Sequence, residues 1–197
     1  GHKSLLPIPD IDRTDYFLML GANPIASNGS ILTVPDVRKR IKALTGRGGK
    51  LVVVDPRFTE TAQLASEHHY ITPGSDALLL TAILNTLFTE NLADPGALAD
   101  FTAGLDTVAA ALVDFTPEFA AAHTGISAET TRRIARDLAA AGAGICYGRM
   151  GVSTQAYGGL NQWLIQLINI ATGNLDKAGG SLFTLPAVDQ VSTTSPG

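Results

Sequence analysis

Four short segments of the chain place glycine or aspartate beside groups that can bond a small ligand. They are Gly21-Ala22-Asn23-Pro24, Asp55-Pro56-Arg57, Pro73-Gly74-Ser75-Asp76 and Gly148-Arg149-Met150-Gly151. Gly21 lets the backbone come close to a bound molecule, and Asn23 carries both a donor and an acceptor. The Asp55 carboxylate can accept from ribose hydroxyls or from a base edge, and Arg57 can pair with a phosphate. Asp76 can grip two neighbouring N–H donors of the kind a guanine edge presents. Each segment also has a local explanation: Gly-Ala-Asn-Pro and Asp-Pro are good turns, and Asp76 can simply cap a helix. The coincidence of all four favours ligand binding. Each follows an apolar run that reads as a strand, and in parallel α/β sheets such positions share one rim, where ligands bind.

Other chemistries find little support. No Gly-x-Gly-x-x-Gly follows the first strand, and there is no Walker loop, so a pyrophosphate is not cradled in the usual dinucleotide way. No Ser–His–Asp arrangement stands out. His68 and His69 open a short strand and read as packed or exposed histidines; His123 suits a helix C-terminus. Asp15 and Asp100 have no paired carboxylate at an identifying spacing. Cys146 is the single cysteine. It excludes a disulfide within the chain and any cysteine cluster for zinc or iron–sulfur, and its apolar run reads as a buried, inert thiol. No catalytic residue and no metal ligand is assigned.

The elements that must position these segments follow from periodicity. Residues 15–20 and 50–54 are short apolar runs without in/out alternation, which is how strands covered on both faces read. Weaker strands are expected at His69 to Ile71 and Ala143 to Tyr147. Helices are expected from Pro35 to Leu44, from a Thr59 cap to Ala65, and from Ser75 or Asp76 to Glu90. Further helices should open at Thr116-Pro117-Glu118 and close at Gly125, run from a Ser127 cap to about Ala141, and span Gly158 to Ala171. The alternation implies parallel strands with right-handed crossovers. The fold class is therefore α/β: a Rossmann-like parallel sheet flanked by helices in three α/β/α layers. The organisation reads as an expression remnant or linker over 1–14, a Rossmann-like dinucleotide-binding domain over 15–152, a returning helix segment towards the adjoining domain over 153–185, and a loop or tail over 186–197.

Bulk composition bounds the partners. The 197 residues suffice for one domain with a real core. Charged residues make up 16% and the mean hydropathy is +0.18. About 25% charged is usual, so part of the surface is expected to lie against something else. A net charge of −4 gives nucleic acid no long-range attraction. Six of the fourteen basic residues lie between Arg38 and Lys50, where they read as a solvated helix face and its C-terminal end. No apolar stretch is long enough to cross a bilayer. The chain begins Gly1-His2, which reads as an expression remnant or a cut from a longer polypeptide. A reducing, cytoplasmic setting is favoured.

In order, Gly21-Ala22-Asn23-Pro24, the run Gly49 to Ala62 containing Asp55-Pro56-Arg57-Phe58-Thr59-Glu60-Thr61-Ala62, and Pro73-Gly74-Ser75-Asp76-Ala77-Leu78 resemble the middle of the molybdopterin oxidoreductases. This family includes dimethyl sulfoxide reductases, formate dehydrogenases and nitrate reductases. Thr116-Pro117-Glu118, Thr124-Gly125-Ile126, Thr172-Gly173-Asn174-Leu175-Asp176 and Gly179-Gly180 fit the same pattern, so the resemblance runs from about Asp15 to Gly180. It implies a parent enzyme with a bis-molybdopterin guanine dinucleotide cofactor on one Mo or W, of which this region binds one dinucleotide. By position, Gly21, Asn23 and Pro24 would line the nucleotide cleft. Asp55, Pro56 and Arg57 would contact guanosine and phosphates, Gly74 and Asp76 the guanine edge, and Arg149, Met150, Gly151 and Gln155 the pterin side. The family's 4Fe–4S cysteine motif, its metal-ligating residue and its C-terminal domain are not in this sequence. The remaining domains of the parent are the implied partners, and the chain by itself is expected to be inactive. Two alternatives are a non-catalytic nucleotide-binding or assembly domain and the central domain of a thiamine diphosphate enzyme.

Overall fold

A computed structural model describes residues 6–184. The tail from 186 and the first five residues lie outside the described residues. In chain order the regular elements are β1 (Ile8–Pro9), β2 (Tyr16–Leu20), α1 (Val37–Gly46), β3 (Lys50–Val54), β4 (Glu67–His69), α2 (Asp76–Thr89), α3 (Leu105–Ala111), α4 (Pro117–Thr124), α5 (Ala128–Ala140), β5 (Gly144–Gly148), α6 (Met150–Ser153), α7 (Gly158–Ala171) and β6 (Ser181–Leu182).

Strands β4, β3, β2 and β5 form one parallel sheet in that order. The chain winds outward from β2 through β3 to β4, then returns to place β5 on the other side of β2. The topological switch therefore falls between β2 and β5. All five residues of β2 and of β5 are buried, as are Leu51 to Val54 of β3. This is why those runs show no alternation: helices cover both faces. Leu18, Leu20, Val52, Val54 and Cys146 face α2, α5 and α7. Phe17, Met19, Leu51, Val53 and Ile145 face α1 through Val37, Ile41 and Leu44.

Edge strand β5 has a side-chain substitute for a fifth strand. Asn169 of α7 accepts from the Cys146 N–H at 2.8 Å and donates to the Cys146 carbonyl at 2.9 Å. Asn174 accepts from the Gly144 N–H at 3.0 Å, and Gln162 donates to the Gly148 carbonyl at 3.2 Å. These amides satisfy backbone groups that an open edge would leave unpaired. They also fix α7 along β5, and so fix the loop between them.

Several boundaries differ from the sequence expectation. Helix α1 starts at Val37 because the Asp36 carboxylate caps it, accepting from the Lys39 N–H at 3.2 Å; Pro35 precedes the cap. The stretch after Thr59 makes only a single 3-10 turn, Ala62–Leu64, capped by the Thr59 hydroxyl. Strand β4 lies at Glu67–His69, two residues earlier than expected, because the main chain leaves the ladder once Asp55 N–H has bonded to the His69 carbonyl. Among the described residues before 15, β1 pairs antiparallel with β6, and Ile11 is buried.

Candidate nucleotide site at the strand ends

Three strand ends converge where the sheet switches direction, the position at which open α/β sheets bind ligands. Gly21 follows β2 with φ +52° and donates its N–H to the Val54 carbonyl at 3.0 Å. Its own carbonyl accepts from the Gly151 N–H at 2.9 Å, and Leu20 O accepts from Arg149 N–H at 3.3 Å. A Cβ on Gly21 would stand 2.8 Å from the Gly151 backbone, and one on Gly151 would stand 2.7 Å from Gly21 Cα. Gly21 was expected to admit a ligand. Gly21 lines the cleft described below, and its missing side chain also admits Gly151, a contact that zips the post-β2 loop to α6.

Asn23 likewise has an internal task. Its Nδ2 donates to Glu60 at 2.8 Å, and its Oδ1 accepts from the Thr61 hydroxyl at 2.7 Å. Thr61 in turn accepts from the Ile25 N–H at 3.3 Å. The bond from Asn23 is the main cause holding the exposed Glu60 carboxyl below its usual range. Thus the loop after β2 is tied to the loop after β3 on one side and to α6 on the other.

Asp55 closes its own turn by accepting from the Arg57 N–H at 2.9 Å, and its carbonyl accepts from His68 Nε2 at 3.1 Å. Asp55 is half-buried while Pro56 and Arg57 are exposed. Together these loops bound a cleft of about 360 Å³. It is lined by Gly21, Ala22, Asn23 and Pro24 after β2, Asp55, Arg57 and Thr59 after β3, and Tyr147, Arg149 and Met150 at the end of β5. Ala26, Ser27 and Gly29 complete the wall. Burial pushes the Tyr147 phenol up to about 12, so it stays protonated as a donor at neutral pH.

The remaining expected residues fall elsewhere. Asp76 is buried and is not among the lining residues. Its carboxylate accepts from Gln155 Nε2 at 2.8 Å, and the same Nε2 donates to the Gly151 carbonyl at 2.7 Å. Loss of hydration raises the Asp76 pKa, partly opposed by the Gln155 bond. So Asp76, Gln155 and Gly151 form one unit behind the rim. Gly74 is exposed and lines a different, apolar groove.

Sequence reasoning assigned no internal task to Glu60 or Thr61, the partners of Asn23, although both lie in the Asp-Pro-Arg-x-Thr-Glu-Thr-Ala run. It also missed Ser27, Gly29 and Tyr147, which carry no local motif. Among the described residues, no helix is long and apolar enough to cross a membrane.

Comparison with known proteins places this geometry. The family model described as molybdopterin oxidoreductase matches residues 3–191. Formate dehydrogenase H of Escherichia coli is 35% identical over 172 residues, covering 86% of this chain and 23% of that protein. The F420-dependent formate dehydrogenase 1 subunit alpha of Methanococcus maripaludis is 30% identical over 174 residues, covering 87% of this chain and 25% of that protein. Acetylene hydratase from Pelobacter acetylenicus superposes with a TM-score of 0.75 at 21% identity, over 87% of this chain and 23% of that chain; it shares the fold. The chain thus spans about a quarter of the length of the relatives it matches. A match across nearly the whole sequence decides against the thiamine diphosphate reading, and the chain belongs to the molybdopterin oxidoreductase family.

Proposed function

We propose that the cleft binds the guanosine and phosphate end of one molybdopterin guanine dinucleotide, within a longer polypeptide that is a molybdenum or tungsten oxidoreductase. The observation that carries this reading is the meeting of Asp55, Arg57 and Arg149 around a single cleft at the sheet's switch point. The cleft lies near the lower end of the range for small-molecule sites, about 300–1,000 Å³, which suits part of an extended dinucleotide rather than all of it.

The residues present fit such a group. Arg57 and Arg149 are the cations for phosphate oxygens, and the Asp55 carboxylate is the acceptor for ribose hydroxyls or base N–H groups. Gly21, Asn23 and Pro24 hold the wall. Asp76, set behind the rim, would meet the guanine N–H pair from beside its Gln155 bond once that bond gives way, while Met150 and, behind it, Gly151 lie toward the pterin side. When bound, the metal and its pterins supply two-electron redox chemistry in the parent, by oxygen-atom or hydride transfer. A 4Fe–4S cluster, if the parent carries one, is ligated outside this sequence. This chain contributes binding and orientation, and by itself it turns over no substrate.

Metal analysis of the full-length parent tests the reading. About one Mo or W per chain is expected, with GMP released by acid hydrolysis. A well-folded, matured parent holding neither metal nor releasable GMP refutes it. Bound guanine nucleotide without metal would instead identify the non-catalytic alternative. Within the chain, Asp76→Ala should weaken GMP more than AMP, and equal binding of the two by the unaltered chain would remove the guanine role from Asp76.

A further inference from the structure

A second concavity shares no lining residue with the nucleotide cleft. It is a groove of about 620 Å³ between α2, α3 and α7, walled by Leu78, Val108, Phe115, Tyr157, Leu160 and Trp163. None of its lining residues is charged; its hydroxyls are those of Thr81, Thr107 and Tyr157. Thr81 already donates to the Leu78 carbonyl at 3.0 Å. Tyr157, Leu160 and Trp163 are 61%, 43% and 52% exposed, and large apolar side chains exposed together in one patch mark an interaction surface.

Two further observations fall on the same side. Between Arg149 and Asp176 the sequence has no Asp, Glu, Lys or Arg, although α7 presents Leu160 and Trp163 outward. A helix apolar on its outer as well as its inner side is one that is covered. From Asn91 to Ala111 not one residue is buried, yet the stretch holds a 3-10 segment, Gly96–Phe101, and all of α3. Leu92, Ala93, Leu105 and Val108 are only partly covered by the core of their own chain, and regular structure so thinly packed is expected where the rest of its burial comes from another segment.

We infer that this groove is the docking surface for an apolar segment of the same polypeptide lying outside residues 3–191. The inference rests on the reading that the chain is part of a longer oxidoreductase, and it says which face the rest of that protein covers. A small-molecule site of this size ordinarily converges a few polar groups that fix the ligand's orientation, and this groove has no charged or amide group to do so. A charge-free wall with aromatic anchors is instead the composition of a permanent interface, resembling a domain core cut in half. The chain spans about a quarter of its relatives' length, so roughly three times its own mass of polypeptide accompanies this fold in those proteins.

Hydroxyl-radical modification, read peptide by peptide in the isolated chain and in the full-length parent, tests the inference. Trp163, the chain's single tryptophan, together with Leu160 and Tyr157 should react several-fold more slowly in the parent. Equal rates in the two proteins overturn it. Protection already present in the isolated chain and lost on dilution overturns it too, in favour of a second copy. As a second measurement, Trp163→Glu should leave the melting temperature of the isolated chain unchanged while making the parent sensitive to limited proteolysis. A parent that resists protease as before also overturns the inference. Neither readout depends on Mo, W or GMP content, so failure here is distinct from failure of the cofactor reading.

Discussion

The two concavities differ in how they are made. The cleft is bounded by loops that the chain ties to one another: Asn23 to Glu60 and Thr61, Gly21 to Gly151, and Asp55 to Arg57 and His68. Its shape is set before any ligand arrives. The groove is bounded by helices, and one wall, α3, has no fully buried residue; its Leu105 and Val108 are only partly covered by the core. The difference separates a cleft whose walls are held by polar ties within the chain from an apolar surface that no described part of the chain covers.

The sharpest way to break this comparison uses two glycines with the same backbone sign. Gly21 (φ +52°) borders the cleft and Gly74 (φ +85°) borders the groove. At Gly74 an added Cβ meets nothing within 4 Å, so Gly74→Ala carries only the left-handed backbone penalty of roughly 1–2 kcal/mol. At Gly21 the new methyl strikes the Gly151 backbone at 2.8 Å as well, and Gly21→Ala should cost about 3 kcal/mol or more. Urea unfolding of the two variants measures the gap. Equal losses would mean the loops can separate and the cleft is not locked.

Asp76→Asn comes next, with opposite effects on fold and ligand. Burial raises the Asp76 pKa above its ordinary value of 3.8, so the folded chain holds this proton to higher pH than the unfolded chain. The group's contribution therefore falls as pH rises from the unfolded value through the raised folded one, and the deficit persists at neutral pH. Asparagine keeps an acceptor for Gln155 without that deficit. Stability of the variant should rise at pH 7, and the gain should vanish on acidification below the unfolded value. Meanwhile the preference for GMP over AMP should drop by about tenfold, the loss of one charge-assisted bond. A preference left intact would move guanine recognition elsewhere on the rim.

Much of the cleft was legible in the sequence because parallel strands end in step. Once residues 15–20, 50–54 and 143–147 read as strands of one sheet, the residues after them had to share a rim. What the sequence hid was the division of labour there. Asn23 and Asp55 look alike as polar residues in turns and both line the cleft, yet Asn23 has both ends bonded to other loops while Asp55 closes only its own turn. Gly74 and Gly21 look alike as turn glycines, yet they border different concavities. Such distinctions depend on side-chain partners tens of residues away, which no local pattern encodes. The groove was foreshadowed only by low charge content, since its walls come from residues 74–81, 107–115 and 157–164, separated in sequence and joined by packing.

Asn23→Ala tests whether the tie between the β2 and β3 loops matters to the cleft. Removing the partner of the Thr61 hydroxyl should cost about 1 kcal/mol. The Glu60 carboxyl, held down mainly by Asn23, should climb back toward its ordinary value of 4.5 in an NMR titration. GMP should bind more weakly through loosened walls, although Asp55 and Arg57 are untouched. An unmoved Glu60 titration would mean that its backbone hydrogen bond and Arg57 hold it down instead.

The smallest effect is expected at the groove, and its smallness is informative. Leu160→Gln changes a side chain that is 43% exposed and lines a surface no other described part of the chain covers. In the isolated chain the substitution should alter unfolding free energy by less than about 0.5 kcal/mol, the ordinary range for surface positions. It should also leave GMP binding unchanged, because the groove and the cleft have no lining residue in common. The same leucine in a finished core would cost several times more, since burying a leucine contributes roughly 1.5–3 kcal/mol. A large loss in the isolated chain would mean that the groove is already packed by residues of this chain, and the contrast between a completed cleft and an incomplete groove would fall with it.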